Sequence, residues 1–397
     1  MSFITKKIPS QVIAIADIGS YKIRVGICEF HGQELTLIGY GEKKQNIGDM
    51  SGQDIHSLPG VANTFCEAIK KAEKNAHTQI QNIVMNIPFD ELFSAYETVE
   101  YTRKDNTFPI DQNELQNIID YIEFHALKQQ YRYIDRQYGY SSSQIDLVLS
   151  SVQKLSIDGN TSRKILGKTG AHIQSSLLNM CIPKDKYQMI QTLESAINKK
   201  ITQVIPSEFA LLKLSKQQRN IVIIDVGSCS TSIIVKKDGA HIGIQKLPLG
   251  IGSLIQNIQK KYPKTHTDII TSLDGDLYTN EKKDFIEVFL DSLGITLKEI
   301  LQNQNCPNKF FITGGGANRF LTRCVEYMNL HLYDIKHIGS IQLLHTKDLS
   351  PKDEAEASIS RSNLNIYAMM KAASEFITRI PDPIEKSLKK TVEKIHE

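Results

Sequence analysis

The chain has 397 residues and a formal net charge of +3 at pH 7, from 47 Lys and Arg against 44 Asp and Glu. This balance argues against a dedicated nucleic-acid-binding protein, which carries a concentrated basic face, so we expect no nucleic-acid partner. Hydrophobic residues are 41% of the chain and charged residues 23%, as in folded globular proteins. The six cysteines form no CxxC pair and the N-terminus has no apolar leader, which predicts a cytoplasmic protein without a zinc cluster.

The first ninety residues predict an α/β arrangement that begins with strands. Residues 12–38 form a pattern of three strands separated by two turns. Residues 58–77 place apolar side chains on one helical face, and a short apolar run that stops at Pro88 predicts a buried strand.

The composition changes after residue 90, and we predict a small inserted α+β unit over residues 91–173. Asp111 is placed to cap an amphipathic helix that ends near residue 127. The Tyr-, Gln- and Ser-rich segment 128–144 predicts a loop, and a strand follows it. Beyond the insert, strands and helices alternate to the end of the chain.

Two stretches in different halves of the chain repeat one pattern: an apolar strand, then Asp-x-Gly-Ser, then a second strand. They are IAIADIGSYKIRVGI (13–27) and IVIIDVGSCSTSIIV (221–235). The carboxylate can hold a water of a magnesium ion, the glycine lets backbone N–H groups approach an anion, and the hydroxyl adds a donor. One copy alone is common in structural turns. Two copies predict an internal duplication with a polyphosphate clamped between its halves.

A third glycine-rich element follows a predicted strand and precedes a predicted helix. In FFITGGGAN, the glycines Gly314, Gly315 and Gly316 let a ligand lie directly on the backbone at a helix N-terminus. The chain contains neither the GxxxxGK[ST] phosphate loop nor the GxGxxG dinucleotide turn. The order of the three elements is therefore more specific than any one of them.

These three motifs, in this order, resemble those of the actin-like ATP-binding superfamily, and most closely those of the FtsA family of bacterial cell-division proteins. The resemblance implies a two-lobed α/β fold, actin-like and duplicated from a ribonuclease H-like unit, with an SHS2-type subdomain inserted in the first lobe. The matching positions in the first, second and adenosine motifs are Asp17, Gly19, Ser20 and Lys22; Asp225, Gly227, Ser228 and Thr231; and Gly314, Gly315 and Gly316.

The resemblance also implies that Mg²⁺ and ATP bind between the lobes. Asp17 and Asp225 would hold the magnesium ion through water, and the three glycines would receive the nucleoside. The phosphate ligands would be Ser20, Lys22, Ser228 and Thr231. The implied domains are a first lobe over 1–90 and 174–215, the insert over 91–173, a second lobe over 216–360, a returning helix over 361–380 and a tail over 381–397.

The sequence departs from the family pattern in four places. Ser and Cys replace glycines at 228–230, and the paired glycines after the next strand are reduced to Gly250 and Gly252. The family's ribose-contacting helix is not recognisable at 266–271, and no Arg for the tail of FtsZ occurs in 286–301. No motif places a general base for water, so we expect weak or absent ATPase activity.

The FtsA family ends in an amphipathic helix that lies on the membrane, and the tail of this chain has a related pattern. Lysines flank a narrow apolar stripe without Trp or Phe, which predicts weak membrane binding that needs several copies acting together. A solvated terminal helix is the alternative. The stripe consists of Ile384, Leu388, Val392 and Ile395.

The predicted function is that of an ATP-binding adaptor that self-associates head to tail into filaments. It would tether FtsZ, through the FtsZ C-terminal tail, and other division proteins to the inner face of the cell membrane at the division site. One alternative is a PilM-like platform for pilus or secretion assembly. Another is an actin-fold sugar or acetate-type kinase, but a kinase would lack the insert and would need a catalytic Asp between the phosphate turns.

Overall fold

The computed structural model describes residues 11–31, 34–162, 164–214, 218–302, 304–326, 339–344, 352–353 and 363–378. Among these, one compact unit takes 11–90, 191–236 and 244–378, and a second takes 91–190 and 237–243. None of the helices within these ranges combines the length and apolarity needed to cross a membrane. The predicted membrane stripe at Ile384, Leu388, Val392 and Ile395 lies outside the described residues.

The first unit contains two sheets that begin in the same way. In the first sheet β1 pairs antiparallel with β2 and β2 with β3, while β6 adds to β1 in parallel. The order is β11-β6-β1-β2-β3-β17. The bounds are β1 (Gln11–Ile18), β2 (Lys22–His31), β3 (Glu34–Lys44), β6 (Asn82–Met85), β11 (Lys200–Val204) and β17 (Lys352–Asp353), and a separate two-stranded ribbon is formed by β4 (Met50–Ser51) and β5 (Asp54–Ile55).

In the second sheet β12 pairs antiparallel with β13 and in parallel with β15. Asp17 and Asp225 are each the last but one residue of their strand, β1 and β12, so the repeated sequence forms a repeated local structure. The sheet order is β14-β13-β12-β15-β16. The bounds are β12 (Ile221–Val226), β13 (Thr231–Lys237), β14 (Ala240–Leu247), β15 (Lys309–Thr313) and β16 (Ser340–Leu343).

Helices cover these sheets, and glycines set how closely the first of them approaches. A Cβ at Gly41 of β3 would overlap the backbone oxygen of Ala68, so α1 lies directly on the strand. Ser57 caps α1 by accepting a hydrogen bond from the Gly60 amide. The helices are α1 (Leu58–Ala76), α4 (Ser207–Leu214), α5 (Ile251–Lys261), α6 (His266–Ser272), α7 (Thr279–Leu301), α8 (Arg319–Glu326) and α9 (Leu364–Thr378), and α3 (Lys184–Ile197) contains the division near residue 190.

The second unit is a four-stranded sheet covered by one long helix, α2 (Gln112–Tyr138), with Asp111 as its N-cap. The prediction of a loop over 128–144 is therefore wrong for most of that segment. Gln130 and Ile134 are fully buried and continue the helical face, and Gly139, at a φ of 76°, ends the helix. The strands, in the order β7-β10-β8-β9, are β7 (Phe93–Thr102), β8 (Ile145–Ile157), β9 (Asn160–Thr161) and β10 (His172–Pro183).

The end of this sheet differs from the predicted insert boundary at residue 173. β10 pairs with β7 from His172 to Cys181 and with β8 as far as Pro183. Because a strand that is hydrogen-bonded on both sides belongs to its sheet, the sheet extends beyond residue 173. The remaining domain boundaries stay predictions.

Candidate functional site

Both Asp-x-Gly-Ser turns and the glycine turn contribute to one cavity in the first unit. The cavity measures about 200 Å³, many times the ~10–15 Å³ that a single water molecule needs, so it has room for a phosphate chain. The predicted residues that line it are Asp17, Gly19, Ser20 and Lys22 from the first turn, Asp225, Gly227 and Ser228 from the second, and Gly315 from the third.

Asp17 lies in a closed network of hydrogen bonds. Its Oδ2 accepts from Nη1 of Arg24 at 2.9 Å, and its Oδ1 accepts from Nδ2 of Asn86 at 3.2 Å. Burial raises the pKa of Asp17, and the Arg24 guanidinium opposes that rise. Both carboxylate oxygens of this residue therefore already accept hydrogen bonds from protein groups.

The negative charge of Asp225 has fewer stabilising contacts than that of Asp17. Its Oδ2 accepts from Nδ2 of Asn365 at 3.4 Å, which is long for a hydrogen bond. Burial, with added repulsion from Glu208 and Asp17, raises the pKa of Asp225 to about 7. Burial therefore favours the protonated, uncharged form of this carboxyl group in the ligand-free protein.

Glu208 and Lys246 form a second charged pair in the cavity wall. Glu208 lies in the first turn of α4, is 3% exposed, and accepts a hydrogen bond from Oγ of Ser232 at 2.8 Å. Nζ of Lys246 lies 3.3 Å from Glu208 Oε1 and donates to the carbonyl of Phe89 at 2.8 Å. The cavity thus contains three carboxylates, where the motifs predicted two.

Two further cations line the cavity next to the first turn. Lys22 donates to Oε2 of Glu42 at 2.7 Å, and burial together with the charge of Arg24 lowers the pKa of Lys22. Arg24 is 9% exposed, and its Nε makes no hydrogen bond within the described residues.

An aromatic pair borders the same cavity. Tyr21, between Ser20 and Lys22 in the first turn, stacks on His266 of α6 with ring centroids 4.3 Å apart and planes 11° from parallel. Burial lowers the pKa of His266, and the Lys44 ammonium lowers it further. The neutral form of His266 is therefore favoured in this contact between the first turn and α6.

Three of the predicted ligands do not line the cavity. Thr231 is fully buried, and its hydroxyl donates to the carbonyl of Leu249 at 2.7 Å. A Cβ at Gly314, where φ is +95°, would overlap Asp225 and Val226, and a Cβ at Gly316 would press against Ile251. These two glycines allow close packing against β12, whereas Gly315 faces the cavity.

The turn glycines also differ from their predicted use. The amide of Gly19 donates to the carbonyl of Lys22 at 3.2 Å, and that of Gly227 donates to the carbonyl of Ser230 at 2.8 Å. Each amide therefore closes its own turn. An anion in the cavity must find other donors.

The donor set fits a hydrated divalent cation better than a directly coordinated one. The carboxylates of Asp17, Glu208 and Asp225 supply the oxygen ligands that Mg²⁺ prefers. Within the described ranges, however, no three His, Cys, Asp or Glu side chains are grouped to bind a metal directly. Asp225, the least compensated of the three, is the residue that would hold such an ion through its water shell.

Sequence reasoning missed Arg24, Asn86, Glu208, Lys246 and Asn365 as parts of this site. Arg24 could have been recognised from the sequence, because it is a charged residue within the apolar β2. Lys246 is likewise a charged residue near the end of β14. The two asparagines could not have been recognised, since nothing in the local sequence marks an amide that contacts a carboxylate many residues away.

The structure resembles several solved structures. It matches the PilM-PilN type IV pilus biogenesis complex with a TM-score of 0.64 and 10% identity, covering 94% of this chain and 100% of that chain. It also matches the ethanolamine utilization protein EutJ from Carboxydothermus hydrogenoformans (TM-score 0.46, 10% identity, 91% and 89% covered). A Bacteroides thetaiotaomicron protein with an actin-like ATPase fold matches with a TM-score of 0.38 and 9% identity, with 93% and 98% covered.

The likeness to the pilus complex over nearly the whole chain, together with the mixed α/β sheets, confirms the predicted α/β fold class. At 10% identity the likeness to the pilus complex defines the fold and not the activity. No protein-family model and no curated protein sequence matches the chain. Because none of these comparisons singles out the FtsA family, the cell-division role stays a prediction.

Proposed function

We propose that this protein binds a nucleoside polyphosphate, with ATP and Mg²⁺ as the expected pair, in the cavity between its two Asp-x-Gly-Ser turns. The observation that carries the proposal is that both turns and Gly315 line one cavity although they are far apart in sequence. Two hydroxyls on opposite turns, Ser20 and Ser228, supply donors for phosphate oxygens. When bound, the magnesium ion would neutralise phosphate charge next to Asp225.

Binding, rather than turnover, is the activity that we assign. Glu208 is the buried carboxylate that we considered as a general base for water. Its Oε1 already accepts a hydrogen bond from Ser232 and lies beside the ammonium of Lys246. These contacts fix Glu208 in the cavity wall, and no motif of the sequence places its carboxylate against a water molecule. The proposal therefore contains no hydrolytic step.

The wider role that we propose is assembly of a membrane-associated protein complex. The three motifs support an FtsA-like adaptor, which would form filaments and join FtsZ and other division proteins to the inner face of the membrane. The whole-length likeness to the pilus biogenesis complex favours a second candidate, a PilM-like assembly platform. Both candidates use a nucleotide-dependent actin-like body as a scaffold.

Two substitutions that each remove one of two neighbouring hydroxyls test the nucleotide proposal. We expect Ser228→Ala to weaken Mg-ATP binding by about fivefold or more, because it removes one donor in the cavity. Thr231→Val is the matched control, since its hydroxyl bonds Leu249; it is expected to cost about 1 kcal/mol of stability and leave the affinity unchanged. Isothermal titration calorimetry measures both. Absence of ATP binding to the wild-type protein would falsify the proposal.

The two assembly candidates are separated by co-sedimentation. For the adaptor we expect the full chain to pellet with anionic vesicles and to carry FtsZ with it. Removal of residues 381–397 should abolish pelleting without changing ATP affinity. If the full chain neither pellets nor recruits FtsZ while ATP binding persists, the adaptor role is wrong and the platform role is favoured.

A further inference from the structure

Arg24 is placed to do more than neutralise Asp17. The antiparallel register of β1 and β2 sets these two residues directly opposite each other, which accounts for their ion pair. That pair uses Nη1 of the guanidinium. An arginine side chain carries five N–H donors, and Nε of Arg24 has no partner within the described residues.

The unpartnered donor belongs to a deeply buried side chain in the wall of the cavity. Arg24 is 9% exposed and lines the space between the two turns. Nε itself has almost no accessible surface, so an anion in the cavity would meet the terminal N–H groups of the guanidinium. A Cβ added at Gly315 would lie 3.7 Å from Nη2, so the guanidinium also reaches towards the glycine turn.

The other cations of the cavity are more fully engaged. Lys22 pairs with Glu42, and Lys246 pairs with Glu208 and with the Phe89 carbonyl. The amides of Gly19 and Gly227 are used to close the turns themselves. Among the described residues Arg24 donates one hydrogen bond, to Asp17, out of five N–H groups, so it keeps more spare donors than Lys22 or Lys246.

We propose that Arg24 is the principal phosphate ligand of this site and selects ligands that carry a phosphate chain over those with a single phosphate. A planar guanidinium presents a fork that suits the paired oxygens of a phosphate group, and such charge-assisted bonds are strong. Its position between the turns suits a phosphate within a chain whose neighbouring groups reach Ser20 and Ser228. The inference rests on the proposed function, because it assigns that function's main anion contact.

The test compares ligands that differ only in phosphate number. Calorimetry with AMP, ADP, ATP and inorganic triphosphate is expected to show that the wild-type protein binds ADP about tenfold or more tightly than AMP. Arg24→Lys keeps the charge beside Asp17 but loses the fork, and should weaken ADP, ATP and triphosphate by about tenfold while AMP changes by less than about threefold. Arg132→Lys, an exposed site on α2, is the matched control and should change nothing.

A second comparison applies if Arg24→Lys does not fold. The variant Asp17→Asn with Arg24→Gln leaves no buried charge at the pair, and Asp17→Asn alone is its reference. The double variant is expected to prefer ADP over AMP by less than Asp17→Asn alone does, whatever the single substitution costs in affinity. If either folded Arg24 variant retains the full preference, the inference is wrong.

Failure of the inference and failure of the proposed function give different results. If inorganic triphosphate binds in an Arg24-dependent way and no nucleotide binds, the phosphate ligand is supported and the nucleotide proposal is wrong. If nucleotides bind with equal affinity to wild type and Arg24→Lys, the nucleotide proposal is supported and the role of Arg24 as phosphate ligand is wrong. If neither triphosphate nor any nucleotide binds the wild-type protein, both are overturned.

Discussion

Asp225→Asn is expected to stabilise the ligand-free protein at pH 8 and to abolish magnesium-dependent ATP binding. Burial raises the pKa of Asp225 from 3.8 to about 7, so at pH 8 the folded state must hold an unfavourable buried charge. Asparagine removes that charge and keeps an oxygen for the Asn365 amide. With about 1.4 kcal/mol per pKa unit, the expected gain is about 2–4 kcal/mol in the free energy of unfolding.

The pH dependence of this gain follows from the direction of the shift. The folded state holds a proton on Asp225 that the unfolded state releases once the pH exceeds about 4. Stability contributed by this group is therefore present below the unfolded pKa of 3.8 and is lost as the pH rises through the folded pKa of about 7. The difference between variant and wild type should grow from pH 4 to pH 7 and then level off.

Urea denaturation across this pH range measures the effect, and calorimetry with Mg-ATP measures binding. Asp284→Asn, an exposed carboxyl on α7, is the matched control and should give less than about 0.5 kcal/mol at any pH. A variant as stable as the wild type at pH 8 would contradict the buried charge. Unchanged ATP affinity would remove Asp225 from the site.

Gly314→Ala is expected to destabilise the protein strongly, whereas Gly315→Ala should fold normally. Gly314 has φ at +95°, and an added Cβ would overlap Asp225 and the Val226 carbonyl, so strain and overlap coincide. We expect a loss of roughly 3 kcal/mol or more. At Gly315 the nearest atom to an added Cβ is Nη2 of Arg24 at 3.7 Å, an ordinary contact.

Thermal and urea unfolding of the two variants give the comparison. The neighbouring positions share sequence context, so a difference between them isolates packing against β12. Equal stability of the two variants would mean that β15 and the glycine turn lie further from β12 than described. Among variants that fold, Gly315→Ala should weaken ligand binding more than Gly314→Ala does, because the methyl group at residue 315 enters the cavity.

Local sequence was sufficient for the strands and the two repeated turns, whereas the fold class was implied by the resemblance of three motifs to a known superfamily. Apolar runs broken by Asp-x-Gly-Ser predict a strand that ends at a tight turn, because the constraint acts within a few residues. Seven predicted ligands on these two turns, together with Gly315, line one cavity, although only the fold brings the two turns together. Thr231 does not line the cavity, because side chains alternate along a strand: Ser230 and Ser232 face the cavity and Thr231 faces the core.

Tertiary structure decided what local sequence could not. The helical state of segment 128–138 depends on burial of Gln130 and Ile134 against the sheet, which composition alone does not reveal. The partners of the carboxylates, Lys246 for Glu208 and Asn365 for Asp225, come from distant strands and helices. Burial then sets the charge of Asp225, since desolvation depends on every element packed around it. The sequence by itself therefore determined the two turns, and only the fold determined how they are charged and paired.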